Sequence, residues 1–126
     1  MAIHAQVSLS IGHLTANGDQ SANQYKFVTV GASGVQVASG TTNRVIGVLA
    51  NKPTAGQPCT IDVTGVMEVI AGASGIAAGD TIYLKADGTV TKVNTSTRVG
   101  TALEAATSGA LFTALIDCAD VTVGTV

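Results

Sequence analysis

The chain has 126 residues with six basic and eight acidic side chains, and charged residues make up 11% of it, whereas about 25% is usual in soluble domains. It has no basic stretch, no Trp and only 3% aromatic residues, which argues against a nucleic-acid groove and against stacking platforms for bases or sugars. No apolar run reaches the roughly 20 residues of a membrane span, and the N-terminus lacks the basic and apolar regions of a signal peptide, so we expect one domain made and folded in a cytoplasm.

The low charge has two interpretations. The chain is either a small soluble domain rich in Ala and Thr, or a domain whose surface is largely buried against other chains. We favour the second, because a net charge of −2 gives little protection against self-association and because subunit contacts are depleted in charge.

The first 24 residues are predicted to form an extended N-terminal arm. Polar and apolar residues alternate in IHAQVSLSI, residues 3–11, as they do in an amphipathic strand. The polar segment TANGDQSANQ, residues 15–24, follows and is expected to stay extended or mobile until something holds it. Two roles remain open for the strand: docking on a partner, or forming the first strand of the chain's own barrel. Its apolar side is Ile3, Ala5, Val7, Leu9 and Ile11.

Residues 25–126 are predicted to form the β-domain. Short runs with β-branched residues recur between Gly-rich turns, and only GASGIAAGD, residues 72–80, has room for a single helical turn. The fold class is therefore all-β, a small single-domain barrel or sandwich of short antiparallel strands with an extended arm. The predicted strands are YKFVTV, GVQVAS, RVIGVLA, CTIDVT, GVMEVIA, TIYLKA, TVTKV, RVGTALEA and LFTALIDCA.

The segment GDTIYLKADGTVTKV, residues 79–93, predicts a β-hairpin. Asp87-Gly88 is a preferred dipeptide for a two-residue type I′ turn. That turn would place Leu84 opposite Thr91 and would put Val93 on the same face as the apolar residues of the first strand. Asp80 and Asp87 are then turn residues and have a structural explanation.

The sequence contains few residues that predict a disulfide, a metal site or a catalytic site. Cys59 and Cys118 are expected to be buried free thiols rather than a disulfide or a metal site. Alternation in CTIDVT points Cys59, Ile61 and Val63 inward and Asp62 outward. The eight acidic residues are scattered, and no nucleophile elbow, metalloprotease motif or phosphate loop occurs. The sequence therefore predicts no enzyme activity, no cofactor, no metal and no small-molecule substrate.

Several motifs follow one another in order between residues 25 and 117. A Gly-Val-Leu strand precedes a Pro/Ala/Gly turn; TGVMEV is followed by a Gly-Asp turn and the hairpin; VGTALEA and an apolar last strand complete the series. This order resembles the bacteriophage capsid cement, or head decoration, proteins.

The resemblance implies a structural virion protein without enzymatic activity. Such proteins are small β-domains, often trimeric, that bind the outside of the expanded head and staple neighbouring major capsid proteins. It therefore implies a homotrimer on the outer capsid surface, with the major capsid protein as partner and with no nucleic acid or membrane involved. The arm is the candidate capsid contact, through Ile3, Val7, Leu9 and Ile11. The alternative is a small β-module of a phage tail or fibre.

Overall fold

The computed structural model describes residues 8–41, 44–95 and 97–118, which contain no helix. The all-β prediction is confirmed; residues 72–80, which had room for a single helical turn, form bends, an isolated bridge at Ile76 and a turn. The strands in the described part of the chain are β1 Ser8–Ile11, β2 Phe27–Gly31, β3 Gly34–Val37, β4 Gly47–Leu49, β5 Ile61–Ile70, β6 Thr81–Leu84, β7 Val90–Thr91, β8 Arg98–Ala102 and β9 Leu111–Asp117.

Strand β5 is the centre of the sheet. The sequence predicted two strands there, whereas the structure has one strand of ten residues. Asp62 pairs with Ser10 of β1 and also with Val48 of β4, and Thr64 pairs with Leu9 of β1 and with Asp117 of β9. Hence β4 and β9 follow one another along one edge of β5, and β1 lies on the opposite edge.

The sheet runs in the order β3-β2-β4-β5-β9-β8-β6-β7, with β1 added on β5. Both ends of this sheet curl back towards the centre. A parallel bridge between Ala71 and Val90 joins the end of β5 to β7, and a second between Ala16 and Val35 joins β3 to the segment after β1. The predicted small β-barrel therefore takes the form of a half-barrel.

A bulge in β5 separates two hydrophobic cores. Between the Ile61–Ile11 and Thr64–Leu9 pairs, β5 has one more residue than β1, and such a bulge reverses the alternation of side chains. The first core includes Phe27, Ile82, Leu84 and Phe112, and the second includes Val28, Val35, Leu49 and Cys59. Ile61 consequently packs in the second core, whereas Met67 and Val69 pack in the first, although all three would share a face in a regular strand.

The bulge also corrects the prediction for Asp62. This residue was expected to face outward, but it is buried and accepts a hydrogen bond from Ser10 Oγ at 2.5 Å. A buried carboxylate needs such a partner, since burial without one is costly. Cys59 and Ile61 are buried as predicted, and Val63 is partly buried against the first core.

The polar segment after β1 is held by its own domain. Ala16 N donates to Gln57 O at 2.9 Å, Asn17 Nδ2 donates to Gln36 Oε1 at 2.8 Å, and Gln24 Nε2 donates to Ala50 O at 2.9 Å. The amide side chains of Asn17 and Gln24 thus form hydrogen bonds with neighbouring parts of the domain. The segment that was expected to stay extended or mobile until something holds it is thus held by contacts within its own domain.

The hairpin between β6 and β7 differs from its prediction by one residue. Leu84 pairs with Val90, not with Thr91, and Lys85 N donates to Thr89 O at 2.8 Å. Only Gly88 in the loop has a positive φ, at 84°, so the connection is a three-residue loop with glycine in the left-handed region rather than a type I′ turn. Val93 is consequently exposed instead of sharing the buried face.

The two predicted turn aspartates accept backbone hydrogen bonds. Asp80 Oδ2 accepts from Ala77 N at 2.9 Å. Asp87 Oδ1 accepts from Thr89 N at 3.2 Å and from Thr89 Oγ1. Partial burial of Asp87 opposes ionisation, but the hydrogen bonds from Thr89 outweigh it and lower the pKa of Asp87. The carboxylate thus holds the turn in its three-residue form.

Both cysteines are buried free thiols, as predicted. Cys59 lies in the second core and Cys118 in the first, so each thiol packs as a small apolar group. Burial raises the pKa of Cys59. Burial and the neighbouring Asp117 carboxylate raise the pKa of Cys118 to about 12.

The glycine of the hairpin loop provides the first prediction. Gly88 and Gly109 both have a φ of 84°, but a Cβ on Gly88 would lie 2.6 Å from Val37 Cγ2, whereas one on Gly109 would meet nothing within 4 Å. Gly109→Ala should cost only the backbone strain, about 1 kcal/mol. Gly88→Ala should cost about 1–3 kcal/mol more, because its Cβ is also overpacked. Denaturant unfolding at one protein concentration measures both, and equal costs would contradict the contact with β3.

The thiols provide the second prediction. Because the reactive species is the thiolate, neither cysteine should react with a thiol reagent at pH 8 while the protein is folded. Both should react once denaturant unfolds the chain. The absorbance of the released chromophore counts the modified thiols, and rapid reaction of one thiol in the folded protein would show that its core is open.

Candidate interaction surface

One face of the central strands points away from the first core. Residues that pair directly across an antiparallel ladder share a face, and alternate residues along each strand continue it. Thr64 pairs with Leu9, Val66 with Leu115, Ile70 with Leu111 and Thr101 with Leu115. We call this surface the outer face; it consists of Leu9, Thr64, Val66, Glu68, Ile70, Thr101, Leu111, Thr113, Leu115 and Asp117, of which Thr113 is buried.

The outer face is unusually apolar for a surface. Leu9 is 62% exposed, Leu115 49% and Leu111 43%. Isolated exposed leucines are common, but a set of them on adjacent strands is a feature of interaction sites. The strand ladder places two acidic residues on the same face, Glu68 and Asp117. This surface can therefore form a contact that is largely apolar and that includes the carboxylates of Glu68 and Asp117.

A shallow depression lies beside Leu115. It is lined by Arg98, Gly100 and Thr101 of β8 and by Leu115 and Asp117 of β9. Charged groups at the rim of an apolar surface fix orientation more than they add affinity. The depression thus supplies a polar boundary to the outer face.

Glu104 has a structural role next to this surface. Strand β8 ends at Ala102, and the Glu104 carboxylate then takes the place of a strand partner by accepting a hydrogen bond from Thr113 N at 3.1 Å. Hydrogen bonding from Thr113 lowers the pKa of the Glu104 carboxyl. The Glu104 carboxylate therefore has a structural explanation: it satisfies a backbone N–H of β9 that has no strand partner beyond the end of β8.

The four contact residues predicted from the sequence do not all lie on the outer face. Leu9 is exposed on the outer face, whereas Ile11 is half-buried and packs against the second core. Ile3 and Val7 lie outside the described residues. The turn residues named from the sequence, Asp80 and the pair 87–88, lie in the connections on either side of β6.

Sequence reasoning missed the part of the outer face formed by β5 and β9. The alternation of Leu111, Thr113, Leu115 and Asp117 in LFTALID was the available signal. It was hidden because Ala114 and Ile116, which face the core, are also apolar. A strand that is apolar on both faces does not show from sequence alone which face is covered.

No group of three or more His, Cys, Asp or Glu side chains in residues 8–41, 44–95 and 97–118 is placed to hold a metal ion. Within the same residues, no helix is long and apolar enough to span a membrane.

Comparisons with known proteins agree with this architecture. A family model described as phage cement protein matches residues 11–117. Among solved structures, the head fiber gp8.5 N base of bacteriophage phi29 is similar, with a TM-score of 0.62 and 23% sequence identity. The match covers 89% of this chain and 96% of that chain. At this identity it shows a shared fold. Comparison with the curated proteins gives no match.

Proposed function

The chain belongs to the phage cement protein family, and we propose that it is a capsid decoration protein. In this role it binds the outside of the expanded phage head and staples neighbouring major capsid proteins. Membership of this family identifies the chain as a structural component of a phage virion. Its position on the outer surface of the capsid is what we propose beyond that.

The observation that carries the proposal is the apolar outer face. Leu9, Leu111 and Leu115 are exposed together on one side of the sheet, and clustered apolar side chains on a domain with 11% charged residues favour association with a partner. We assign the capsid contact to this face, which includes Leu9, and to Ile3 and Val7 from the sequence prediction; Ile11, also predicted as a contact, packs against the second core instead. Such a contact involves no cofactor, nucleic acid, membrane, small molecule or catalysis.

The mechanism of stabilisation is thermodynamic linkage. A protein that binds only the expanded lattice stabilises it by RT ln(1 + [L]/Kd) for each site, or about 2.7 kcal/mol when its free concentration is one hundred times Kd. We propose a homotrimer, since three linked copies of the same surface bind neighbouring capsid subunits at high effective concentration.

A second candidate function is supported by the solved structure that shares this fold. That structure is the base of a phage head fiber, so the chain is alternatively a small β-module of a fibre or tail. Cryo-electron microscopy of heads mixed with the protein distinguishes the two roles. Compact density that bridges neighbouring capsid subunits is expected of a decoration protein, whereas density on one capsid subunit without such a bridge is expected of the base of a fibre.

The outer face provides the third prediction. Leu115→Asp and Leu9→Asp should each weaken binding to expanded shells by about thirtyfold or more, roughly 2 kcal/mol, because a carboxylate must be desolvated in the contact. Both side chains are exposed, so the melting temperature of the free protein should change little. Sedimentation of shells with bound protein measures the affinity.

Val93→Asp is the matched control for these variants. Val93 is 64% exposed but does not belong to the outer face, so its variant should decorate shells like the parent protein. If Leu115→Asp and Leu9→Asp also decorate shells normally, the outer face is not the capsid contact.

The fourth prediction concerns assembly. Light scattering of the isolated protein at micromolar concentration should give three times the chain mass of 12.5 kDa, because contacts between copies also bury apolar surface. A mass equal to one chain across this concentration range would contradict the homotrimer.

A further inference from the structure

Three four-residue turns of the domain have the same hydrogen-bond pattern. They are residues 54–57, 77–80 and 107–110, and in each turn the N–H of the fourth residue donates to the carbonyl of the first at 3.0 Å. The third residue of each turn is a glycine with a positive φ, between 77° and 92°, which is the position where type II turns need one. The turn sequences TAGQ, AAGD and TSGA have only this glycine in common.

Each of these turns also binds one alanine from another part of the chain. The glycine N–H donates to the alanine carbonyl, and the alanine N–H donates to the carbonyl of the fourth turn residue, at distances between 2.7 and 3.0 Å. All three alanines are buried. They are Ala16 for turn 54–57, Ala102 for turn 77–80 and Ala71 for turn 107–110.

For two of the turns, the similarity continues into the adjoining strands. Ala71 follows the last residue of β5, and Ala102 is the last residue of β8. Counted back from these alanines, the β5–β9 and β8–β6 ladders have matching pairs. These are Ile70–Leu111 and Thr101–Thr81, and next to them Val69–Phe112 and Gly100–Ile82. The second pair is buried in both ladders, and no residue of the first pair is buried in either.

The two segments that contain these turns are interlocked. Turn 77–80 leads from β5 to β6 but binds the end of β8, whereas turn 107–110 leads from β8 to β9 but binds the end of β5. The segments also meet midway in an antiparallel bridge between Ile76 and Ala106, each of which directly precedes its turn. These reciprocal contacts relate the two segments by an approximate twofold axis.

We propose that residues 69–82 and 100–112 are two copies of one structural unit, and that turn 54–57 with Ala16 is a third copy of its turn. The matching hydrogen bonds, strand pairs and burial occur at equivalent positions in sequence order, so the similarity extends well beyond a shared turn type. A side chain that serves one copy should therefore serve at the equivalent position of another.

The three turns differ in one side-chain hydrogen bond. Asp80 Oδ2 accepts from Ala77 N at 2.9 Å, and Gln57 Oε1 accepts from Thr54 N at 2.9 Å. In both turns the side chain of the fourth residue thus binds the N–H of the first. Ala110 is the fourth residue of the remaining turn, and its methyl group cannot accept a hydrogen bond.

The two copies also differ on the outer face. One copy has the apolar pair Ile70 and Leu111 where the other has Thr101 and Thr81, so the unit does not require exposed apolar side chains at this position. This step rests on the proposed function: Leu111 belongs to the capsid contact, and the equivalent Thr81 does not.

The sign of one stability change tests the repeat. Ala110→Asp supplies the acceptor that the other two turns have and should raise the melting temperature of the full chain by about 2 °C or more. If the turns resemble one another by accident, the same variant only places a carboxylate beside the first core, against which Ala110 packs, and this is destabilising. An unchanged or lower melting temperature would overturn the proposal.

Three further variants control for side-chain size and position. Ala110→Leu enlarges the side chain without an acceptor and should not raise the melting temperature. Asp80→Ala should lower the melting temperature, because it removes the hydrogen bond to Ala77 N. The exchange variant that combines Asp80→Ala with Ala110→Asp should melt between the two single variants, since it moves this hydrogen bond from one copy to the other.

Leu111→Thr separates this proposal from the proposed function. It gives one copy the residue of the other, so the protein should stay folded while binding to expanded shells weakens by about tenfold. Thr81→Leu is the reciprocal control and should bind shells like the parent protein. Normal shell binding by Leu111→Thr would contradict the assignment of Leu111 to the capsid contact and leave the repeat standing, whereas loss of the folded state would contradict the repeat.

Discussion

The extra residue in β5 opposite Ser10 is the constraint on which the rest of the structure depends. It allows one strand to serve two cores, because Ile61 before the bulge and Met67 after it point to opposite sides. In a regular strand, one of these side chains would face water, which costs roughly 1.5–3 kcal/mol for a residue of this size. The bulge thereby couples the β2–β4 half of the sheet to the β6–β9 half.

The same bulge explains where the interaction surface lies. After it, the even-numbered residues of β5 turn away from the first core, while the second core covers only the region near Ile61 and Ile11. Beyond that region Leu9, Leu111 and Leu115 are exposed on the outer face, whereas Thr113 is buried. The apolar character of this face is typical of interfaces between chains, which are depleted in charged side chains.

The failed predictions share one physical origin. The Asp87-Gly88 dipeptide suits more than one turn, and Gly88 is fixed in its three-residue loop by its contacts with β2 and β3, where Gly88 O accepts from Phe27 N at 2.8 Å. Asp62 was expected to face outward because alternation was counted through the bulge, and the bulge depends on pairing with β1, about 50 residues away. In both places a long-range contact outweighed the local signal.

The sequence by itself determined that the protein is all-β, that most of the strands lie near the predicted positions, that Cys59 and Cys118 are buried, and that the chain resembles the cement proteins. These properties depend on composition and on short-range alternation, which are local. Only the tertiary structure decided that residues 61–70 form one strand, that Asp62 is buried and that Leu115 is exposed. Those outcomes depend on which strands pair and in which register. When a strand is apolar on both faces, its own sequence does not show which face is buried or which strands pair with it.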